Sequence, residues 1–314
     1  MDRINPQNYD ADPQLRELID VVPFGTEDSE PEATRPMVRG VIDGIDEDSK
    51  VVLWGGGIYN WFDPLTLIRA IDIARHRVPE IKLLFMGVKH PNPAVPEMQM
   101  AVEARALAQK LDLIGTHVVF HEEWVPYAER VNFLLESDIG VSCHLDHVET
   151  AFSFRTRILD YLWSGLPIVC TGGDSFAGLV ENERLGRTVP AQDPQALADA
   201  LVEVLTDAAA AKTMRDNVLR VRERYRWSVV LRPLLDFCRA PHHAPDRFDP
   251  LVLPAPVQRH GLLTDVGLAR QYLRQGGPRL VARKAASRTA KALPRPVKRA
   301  VTLVLFGRNG RPRV

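Results

Sequence analysis

The sequence contains little cysteine and no long apolar run. Its three cysteines, Cys143, Cys170 and Cys238, are widely separated, and no CxxC pair or Cys/His ladder accompanies them. This scarcity excludes a disulfide-stabilised scaffold, indicates a reducing compartment and offers no structural zinc site. No apolar stretch approaches the ~20 residues of a membrane-spanning helix, and the first residues lack the apolar centre of a signal peptide. We therefore expect a cytoplasmic protein without a metal ion.

Acidic residues are nearly absent from the end of the chain. Residues 256–314 contain 14 Lys/Arg and a single acid, Asp265, although the formal net charge of the whole chain is zero. Basic residues interleaved with apolar ones are typical of a peripheral contact with anionic lipid, which favours the inner face of a membrane. The alternative is a disordered tail that aids solubility. We expect no nucleic-acid partner, because aromatic residues are sparse in this segment.

From Lys50 onward, short apolar runs alternate with stretches of helical periodicity. This alternation predicts an α/β protein with a parallel sheet covered by helices on both faces. Ligands of such sheets bind beyond the carboxyl ends of the strands, so the loops there deserve the closest inspection. The predicted strands are 18–25, 51–54, 81–86, 118–120, 139–142 and 167–170. The predicted helices begin at Pro64 and span about 96–111, 127–136 and 156–163, with one helix around Leu197–Leu205 and a long helical stretch at 208–238.

Two glycine-rich loops follow predicted strands. Gly55, Gly56 and Gly57 end the first strand of the alternation, and Gly172 and Gly173 follow the last. Glycines there let backbone N–H groups approach a phosphate or a sugar. The dinucleotide fingerprint GxGxxG is not satisfied, because its third glycine would fall on Asn60. A simple tight turn remains the alternative for the first loop.

The loop after the strand 139–142 is rich in metal-binding residue types. His144, Asp146, His147 and Glu149 all occur within it, but no helical or strand spacing brings them together. We favour a polar loop that faces the ligand crevice, in which His144 donates to a phosphate or a sugar hydroxyl. A solvated loop without a function is the other interpretation.

Two arginines mark the start of the helix that follows. Ser153 is a candidate N-cap, and Arg155 and Arg157 lie in the predicted first turn. Cations oppose the macrodipole at that end, which indicates that an anion is held there. We expect one arginine to bind a phosphate and the other to be structural. Pairing of Arg157 with Asp160 is the alternative.

The motifs WGGG, VVFHEEWVPYAERVNFLLESDIGVSC and ETAFSFRTRILDYLWSGLPIVCTGGD, followed by LGRTV, occur in this order. The set resembles the C-terminal, donor-binding domain of GT-B glycosyltransferases, in particular the retaining group called glycosyltransferase family 4. The resemblance covers roughly Val21–Phe237. It implies a Rossmann-like fold, the C-terminal half of a GT-B protein, over residues 49–239. Residues 1–48 would then be a remnant of the N-terminal domain with a linker, and 240–314 a Pro-rich linker with the basic tail.

The resemblance also implies roles for individual residues. Asp160 falls on the second acid of the family signature and would bind the ribose hydroxyls. The first acid falls on Phe152, which cannot serve, so Glu149 is the nearest substitute, and we select Glu149 and Arg155 as the catalytic pair. The base would lie against Glu123, Trp124 and Val125. The full set of candidate donor-binding residues is Gly56, Gly57, Trp124, Val125, His144, Ser153, Phe154, Arg157, Asp160, Gly172 and Gly173.

The chain departs from the family pattern at two points. The family has an Arg and a Lys on the first loop, whereas the matching positions here are approximately Ile58 and Asp63. Positive charge would have to come from Arg155, Arg157 or His144. Only about 50 residues precede the donor domain, too few for an N-terminal half, although Trp227–Phe237 resembles the segment that crosses back to it. We expect a truncated product, a misplaced start, or a subunit that needs a partner.

The implied function is transfer of a hexosyl group, with retention, from a nucleoside diphosphate sugar to a polysaccharide, lipid or other acceptor. UDP and GDP sugars are the expected donors, and no further cofactor is expected. The alternative is a non-catalytic module or subunit that binds nucleotide sugars. An NAD-dependent oxidoreductase is disfavoured by the failed glycine fingerprint.

Overall fold

The computed structural model describes residues 19–88, 92 and 94–243, together with the single positions 270, 273 and 278. The chain divides into two units, and Ile19–His242 forms the larger one. The proposed interpretations of the basic tail concern residues that, apart from those three positions, lie outside the described part. The following account concerns the larger unit.

Six parallel strands form one sheet within the described residues, in the order β3-β2-β1-β4-β5-β6. The predicted α/β architecture is therefore confirmed, and the predicted bounds of β2, β3 and β4 agree with the structure. β6 completes an edge that the sequence analysis did not predict, because its pattern GRTV is short and half polar. The strands are β1 Lys50–Gly55, β2 Ile81–Met86, β3 Val118–Phe120, β4 Ile139–Ser142, β5 Ile168–Thr171 and β6 Gly186–Val189.

Helices connect the strands and continue beyond the sheet. Several begin at an Asp whose side chain accepts a backbone N–H of the first turn, as Asp63, Asp193 and Asp207 do. In the described residues no helix is long and apolar enough to cross a membrane. The helices are α1 Pro64–Ala74, α2 Gln99–Lys110, α3 Arg130–Leu135, α4 Val148–Phe152, α5 Arg157–Ser164, α6 Ala177–Asn182, α7 Pro194–Thr206, α8 Ala208–Arg222, α9 Trp227–Val230 and α10 Arg232–Arg239, with 3-10 turns at Tyr127–Glu129 and Glu223–Tyr225.

Two apolar layers cover the two faces of the sheet. One layer contains Trp54 with residues of α1, α2 and α7. The other contains Leu53 with residues of α3, α5 and α8. Successive residues of β1 thus point into opposite layers, which is why the strand reads as an unbroken apolar run. The expected coverage of both faces is confirmed.

The order in which successive strands are added reverses between β1 and β4, which is the switch point of the sheet. The two strands pair only through Val52 with Ile139 and Leu53 with Gly140. The Tyr161 hydroxyl fills the gap beyond these pairs: it accepts the Gly55 N–H at 2.9 Å and lies 2.9 Å from the Val141 carbonyl oxygen, to which it can donate. This buried side chain from α5 therefore fixes the spacing of the two strands where ligands bind in such folds.

The strand predicted at 18–25 is wrong for the residues that the structure describes. Residues 19–25 are irregular, and pairing begins at an isolated bridge between Thr26 and Arg226. Its apolar side chains stay largely in solvent, with Phe24 59% exposed. An apolar run forms a strand only where a sheet edge is available to it. Here the next residue, Thr26, bonds instead to Tyr225 and Trp227 in the chain after α8.

Candidate functional site

Two cavities open beyond the carboxyl ends of β1 and β2, and both are lined by Gly56, Gly57 and Tyr59. The arginine cavity, about 510 Å³, lies between this loop and the start of α5. The tryptophan cavity, about 670 Å³, adjoins the start of α2 and the segment after β3. Trp124 and Val125 line the tryptophan cavity. The other predicted site residues that line a cavity are in the arginine cavity: Gly56, Gly57, Glu149, Ser153, Phe154, Arg155, Arg157 and Asp160.

The loop after β1 is a tight glycine turn. Gly56 has φ +119°, a conformation that side chains with a Cβ rarely adopt. Its N–H bonds back to the Trp54 carbonyl at 3.1 Å. The Gly57 carbonyl accepts from the Trp54 indole at 3.3 Å and from Arg157 Nη2 at 3.1 Å. Two buried side chains, Trp54 and Arg157, therefore hold the loop through hydrogen bonds to the Gly57 carbonyl.

Arg157 is a buried cation in the floor of the arginine cavity. It is 8% exposed, and its guanidinium lies 4.3 Å from the centroid of the Trp54 ring and 4.1 Å from that of Phe62. Its Nη1 has no hydrogen-bond partner among the described residues. Burial lowers the pKa of Arg157 to about 10, so it is still protonated at neutral pH. The alternative pairing with Asp160 is wrong, because that carboxylate faces another arginine.

Arg155 is the arginine whose charge is compensated. Its Nη1 and Nη2 donate to the two carboxylate oxygens of Glu149, at 3.0 and 2.8 Å. Its Nε lies 3.8 Å from the buried carboxylate of Asp174, whose other oxygen accepts the N–H groups of Phe176 and Ala177. The pair of predicted catalytic residues is thus one bidentate unit that presents Glu149 at the cavity wall.

Three residues in the wall of the arginine cavity have backbone N–H groups without a partner in the part of the chain that the structure describes. The N–H groups of Phe154, Arg155 and Thr156 make no hydrogen bond to the described residues, and the first bond of the turn runs from the Ile158 N–H to the Arg155 carbonyl. Such donors, at the positive end of a helix, are suited to an anion. The prediction of Ser153 as the N-cap is wrong. Ser153 ends α4 instead, with its hydroxyl bonded to the Thr150 carbonyl at 3.0 Å.

Asp160 lines the arginine cavity one turn into α5. Its Oδ1 accepts from Arg130 Nε at 3.1 Å, and Arg130 in turn bonds to Glu27 through Nη2 at 3.0 Å. Burial raises the pKa of the Asp160 carboxyl, and the Arg130 charge opposes that shift. The Asp160 side chain remains 34% exposed. The carboxylate is therefore oriented by a neighbour and still accessible from the cavity.

Sequence reasoning did not identify Arg130 or Asp174. Both act on site residues from distant elements, Arg130 from the start of α3 and Asp174 from the loop before α6. The signal for Asp174 was its position three residues before the apolar start of α6, close to where a capping carboxylate is expected. Arg130 had no local signal for its role, because its two carboxylate partners lie 30 and 103 positions away along the chain.

Three predicted donor-binding residues lie away from both cavities. His144 is fully buried with its Nε2 3.5 Å from Asp174 Oδ2, so it cannot reach a ligand in the crevice without rearrangement. The Gly172 N–H is already bonded to the Val189 carbonyl at 2.9 Å, because the residue continues the β5–β6 ladder. Gly173 packs near Thr150. In the described residues no group of three or more His, Cys, Asp or Glu side chains could hold a metal ion.

Ile58 and Asp63, the positions where the resemblance places an Arg and a Lys, have structural roles. Ile58 is buried and lines the tryptophan cavity. Asp63 is buried as the N-cap of α1, where its carboxylate accepts the Thr66 N–H at 3.0 Å and the Thr66 hydroxyl at 2.7 Å. Neither residue could be a cation here without losing the helix start or an apolar wall. A cation lies beneath the loop instead: Arg157, whose Nη2 donates to the Gly57 carbonyl.

The fold and the site together define a class. A parallel α/β sheet whose switch point carries a glycine turn, a helix N-terminus and a buried cation is a phosphate- or nucleotide-binding fold. The sequence model of the family described as "Glycosyl transferases group 1" matches residues 49–207, about half of the chain. The chain therefore belongs to this family of glycosyltransferases.

Individual relatives match over part of their length. The D-inositol 3-phosphate glycosyltransferase of Corynebacterium urealyticum is 24% identical over 236 residues, which are 75% of this chain and 50% of the relative. The phosphatidyl-myo-inositol mannosyltransferase of Mycolicibacterium smegmatis is 23% identical over 194 residues, 60% of this chain and 45% of the relative. The chain thus spans about half the length of these relatives.

Solved structures share the fold. Sucrose-phosphate synthase from Thermosynechococcus elongatus superposes with a TM-score of 0.53 at 21% identity, covering 70% of this chain and 52% of that one. Anabaena Alr3699/HepE, solved in complex with UDP, gives a TM-score of 0.52 at 16% identity, covering 61% and 49%. These likenesses confirm the predicted Rossmann-like sheet.

Proposed function

We propose that this chain is the donor-binding half of a retaining glycosyltransferase. It would transfer a hexosyl group from a nucleoside diphosphate sugar to a polysaccharide, lipid or other acceptor, with the missing half supplied by further sequence or by a partner subunit. The family membership supports glycosyl transfer, and the UDP complex of the Anabaena protein supports a nucleotide ligand on this fold.

The observation that carries the proposal is the unpaired charge of Arg157. In the arginine cavity Arg155 pairs with Glu149 and Asp160 pairs with Arg130, so one positive charge remains without a carboxylate. A buried cation is costly unless it is paired. A diphosphate would accept from Arg157 Nη1 and from the unpaired N–H groups before α5, and would supply the missing negative charge.

The other residues of the cavity then take distinct roles. Asp160, held by Arg130, would accept from the ribose hydroxyls. Glu149, held by Arg155, would contact the transferred sugar near the reacting carbon. Negative charge develops on the departing diphosphate during transfer, and Arg157 with the helix N-terminus would stabilise it electrostatically. Each ~1.4 kcal/mol of this stabilisation corresponds to a tenfold change in rate.

Calorimetric titration with UDP, GDP and ADP tests this assignment. Arg157→Met keeps the apolar stem against Trp54 and removes the charge, so we expect at least one of the three nucleotides to bind the wild type and to bind this variant about ten- to hundredfold more weakly. Arg187→Met is the matched control, because Arg187 pairs with Glu203 at the surface, outside both cavities. Equal affinities in the wild type and Arg157→Met would refute the proposal.

We further propose that residues 256–314 hold the protein on an anionic membrane surface, as their 14 basic residues suggest. This would bring the site close to a lipid acceptor. Co-sedimentation with vesicles containing anionic phospholipid tests the idea. Removal of 256–314 should abolish sedimentation in low salt, and unchanged sedimentation would contradict it.

A further inference from the structure

A charged group lies in the wall of the tryptophan cavity and has no role in the site described above. Arg105 of α2 bonds to Glu122 through Nε at 3.1 Å and through Nη2 at 2.8 and 3.0 Å. Its Nη1 bonds to Glu97. All three residues line the cavity. The group carries a net charge of −1 in a wall that is otherwise mainly apolar.

The geometry of the group leaves acceptor positions open toward the cavity. Each carboxylate offers about four acceptor sites, whereas one guanidinium has about five N–H donors for both. The side chains of Glu97 and Glu122 are 46% and 49% exposed, while Arg105 is 26% exposed. The guanidinium carbon of Arg105 lies 5.3 Å from the centroid of the Phe120 ring. The cavity wall therefore presents two held carboxylates and the remaining N–H of Nη1.

The position of the tryptophan cavity relates it to the proposed diphosphate. The two cavities share Gly56, Gly57 and Tyr59. A nucleotide whose phosphates lie against Arg157 would extend its base past this loop. At about 670 Å³ the tryptophan cavity has room for a purine.

The hydrogen-bonding edges of the nucleobases distinguish among candidate ligands. Guanine presents a carbonyl acceptor followed by two adjacent N–H donors, which match one N–H of Arg105 and the carboxylate oxygens. Uracil presents one N–H between two carbonyls, so one carbonyl would face a carboxylate. Adenine presents a single amino donor beside an acceptor nitrogen. Guanine alone of these three places two donors on the acidic wall.

We propose that the tryptophan cavity selects guanine, with Glu97 and Glu122 as the acceptors of its N–H groups and Arg105 as the residue that positions them. The inference rests on the proposed function, because it assumes a nucleoside diphosphate in the arginine cavity. It deepens that function by assigning the donor as a guanosine diphosphate sugar.

Titration of the full chain with GDP, IDP, UDP and ADP tests the inference. IDP lacks only the exocyclic amino group of guanine, so it isolates one donor. We expect GDP to bind about tenfold or more tightly than each of the other three. One of the two variants Glu97→Gln and Glu122→Gln should narrow the difference between the GDP and IDP affinities, because it removes the acceptor of the exocyclic amino group, and the other should weaken both nucleotides alike. Glu103→Gln is the matched control, because Glu103 lies on α2, is exposed and lines neither cavity.

The outcomes separate the two proposals. If UDP or ADP binds as tightly as GDP and Arg157→Met still weakens all of them, the guanine inference fails while the proposed function stands. If Glu97→Gln and Glu122→Gln leave the ratio of GDP to IDP affinity unchanged, the inference also fails. If none of the four nucleotides binds, both proposals fail.

Discussion

Arg157 Nη2 lies 3.1 Å from the Gly57 carbonyl oxygen, and this single hydrogen bond connects the cation of α5 to the glycine turn after β1. The other terminal nitrogen of the same guanidinium has no partner among the described residues. One side chain thus supports the loop and, in the proposed complex, would donate to the diphosphate. This arrangement would let the chain dispense with cations on the loop itself.

The charge of Arg157 is expected to reduce the stability of the ligand-free protein. Its depressed pKa of about 10 corresponds to a cost on the order of 3 kcal/mol for holding the cation. Arg157→Met should therefore raise the melting temperature by several degrees at neutral pH, at roughly 2–4 °C per kcal/mol. Thermal denaturation followed by circular dichroism measures this change. A lower melting temperature in Arg157→Met than in Arg187→Met would contradict it.

The advantage of Arg157→Met should also depend on pH. The folded protein releases the Arg157 proton above pH 10, where the unfolded chain still holds it. As pH rises through that value, the wild type therefore becomes more stable relative to the variant. The full stability advantage of the variant is present only below that pH. Urea denaturation at pH 8 and pH 10.5 should show a smaller difference at the higher pH. If the stability advantage of Arg157→Met grew with pH, the prediction would be contradicted.

Asp160 is expected to determine nucleoside binding and not phosphate binding. Asp160→Ala should weaken GDP or UDP binding about tenfold or more and leave the affinity for inorganic pyrophosphate nearly unchanged, because pyrophosphate has no ribose. Asp199→Ala is a suitable control, since Asp199 pairs with Arg77 at the surface. Equal losses for nucleotide and pyrophosphate, measured by calorimetry, would place Asp160 at the phosphates instead.

Acid should reproduce the effect of the Asp160 substitution. Burial raises the pKa of this carboxyl above its ordinary value of 3.8. The preference for nucleotide over pyrophosphate should thus decline as pH falls through the raised pKa, at a higher pH than an exposed Asp would give. The ratio of the two affinities, measured as pH falls from 7 in the wild type and in Asp160→Ala, tests this. A ratio with the same pH dependence in both proteins would exclude the carboxylate from ribose binding.

Glu149 is expected to distinguish the sugar nucleotide from the nucleotide. Glu149→Gln keeps a hydrogen bond to Arg155 but removes a charge beside the proposed sugar position. Binding of the nucleotide sugar should weaken several-fold more than binding of the parent nucleotide. Glu203→Gln, which alters a surface pair with Arg187, should change neither. Parallel calorimetric titrations of the two ligands measure this. An identical loss of affinity for both would show that Glu149 does not contact the sugar.

The switch point of the sheet is expected to be sensitive to one methyl group. A Cβ at position 140 would lie 2.4 Å from the Tyr161 ring. Gly140→Ala should therefore destabilise the protein by about 2–4 kcal/mol. Gly178→Ala, within α6 and with open space at the Cβ position, should be neutral or slightly stabilising. Chemical denaturation measures the change in the free energy of unfolding for both variants. Equal changes would show that the backbone can shift at position 140 to accommodate the methyl group.

Much of the fold could be predicted because its signals are local. β2 and β4 are buried apolar runs that end at a turn, and α1 begins at Asp63-Pro64, where cap and rigid φ coincide. Local sequence patterns gave wrong predictions where the structure of a segment depends on what it packs against. Residues 19–25 have strand-like composition but no sheet edge, and Ser153 has a capping side chain but lies at the end of α4.

The sequence by itself determined the parallel sheet, its glycine turn and the presence of two arginines at the start of a helix, because these depend on residue type and short spacing. Only the tertiary structure decided which arginine is compensated. Glu149 and Asp174 approach Arg155, and Arg130 pairs with Asp160, 30 residues away along the chain. Of these three arginines, Arg157 is therefore the one without a carboxylate partner among the described residues. Charge pairing across the chain depends on how the helices pack on the sheet, and packing joins residues that no local pattern relates.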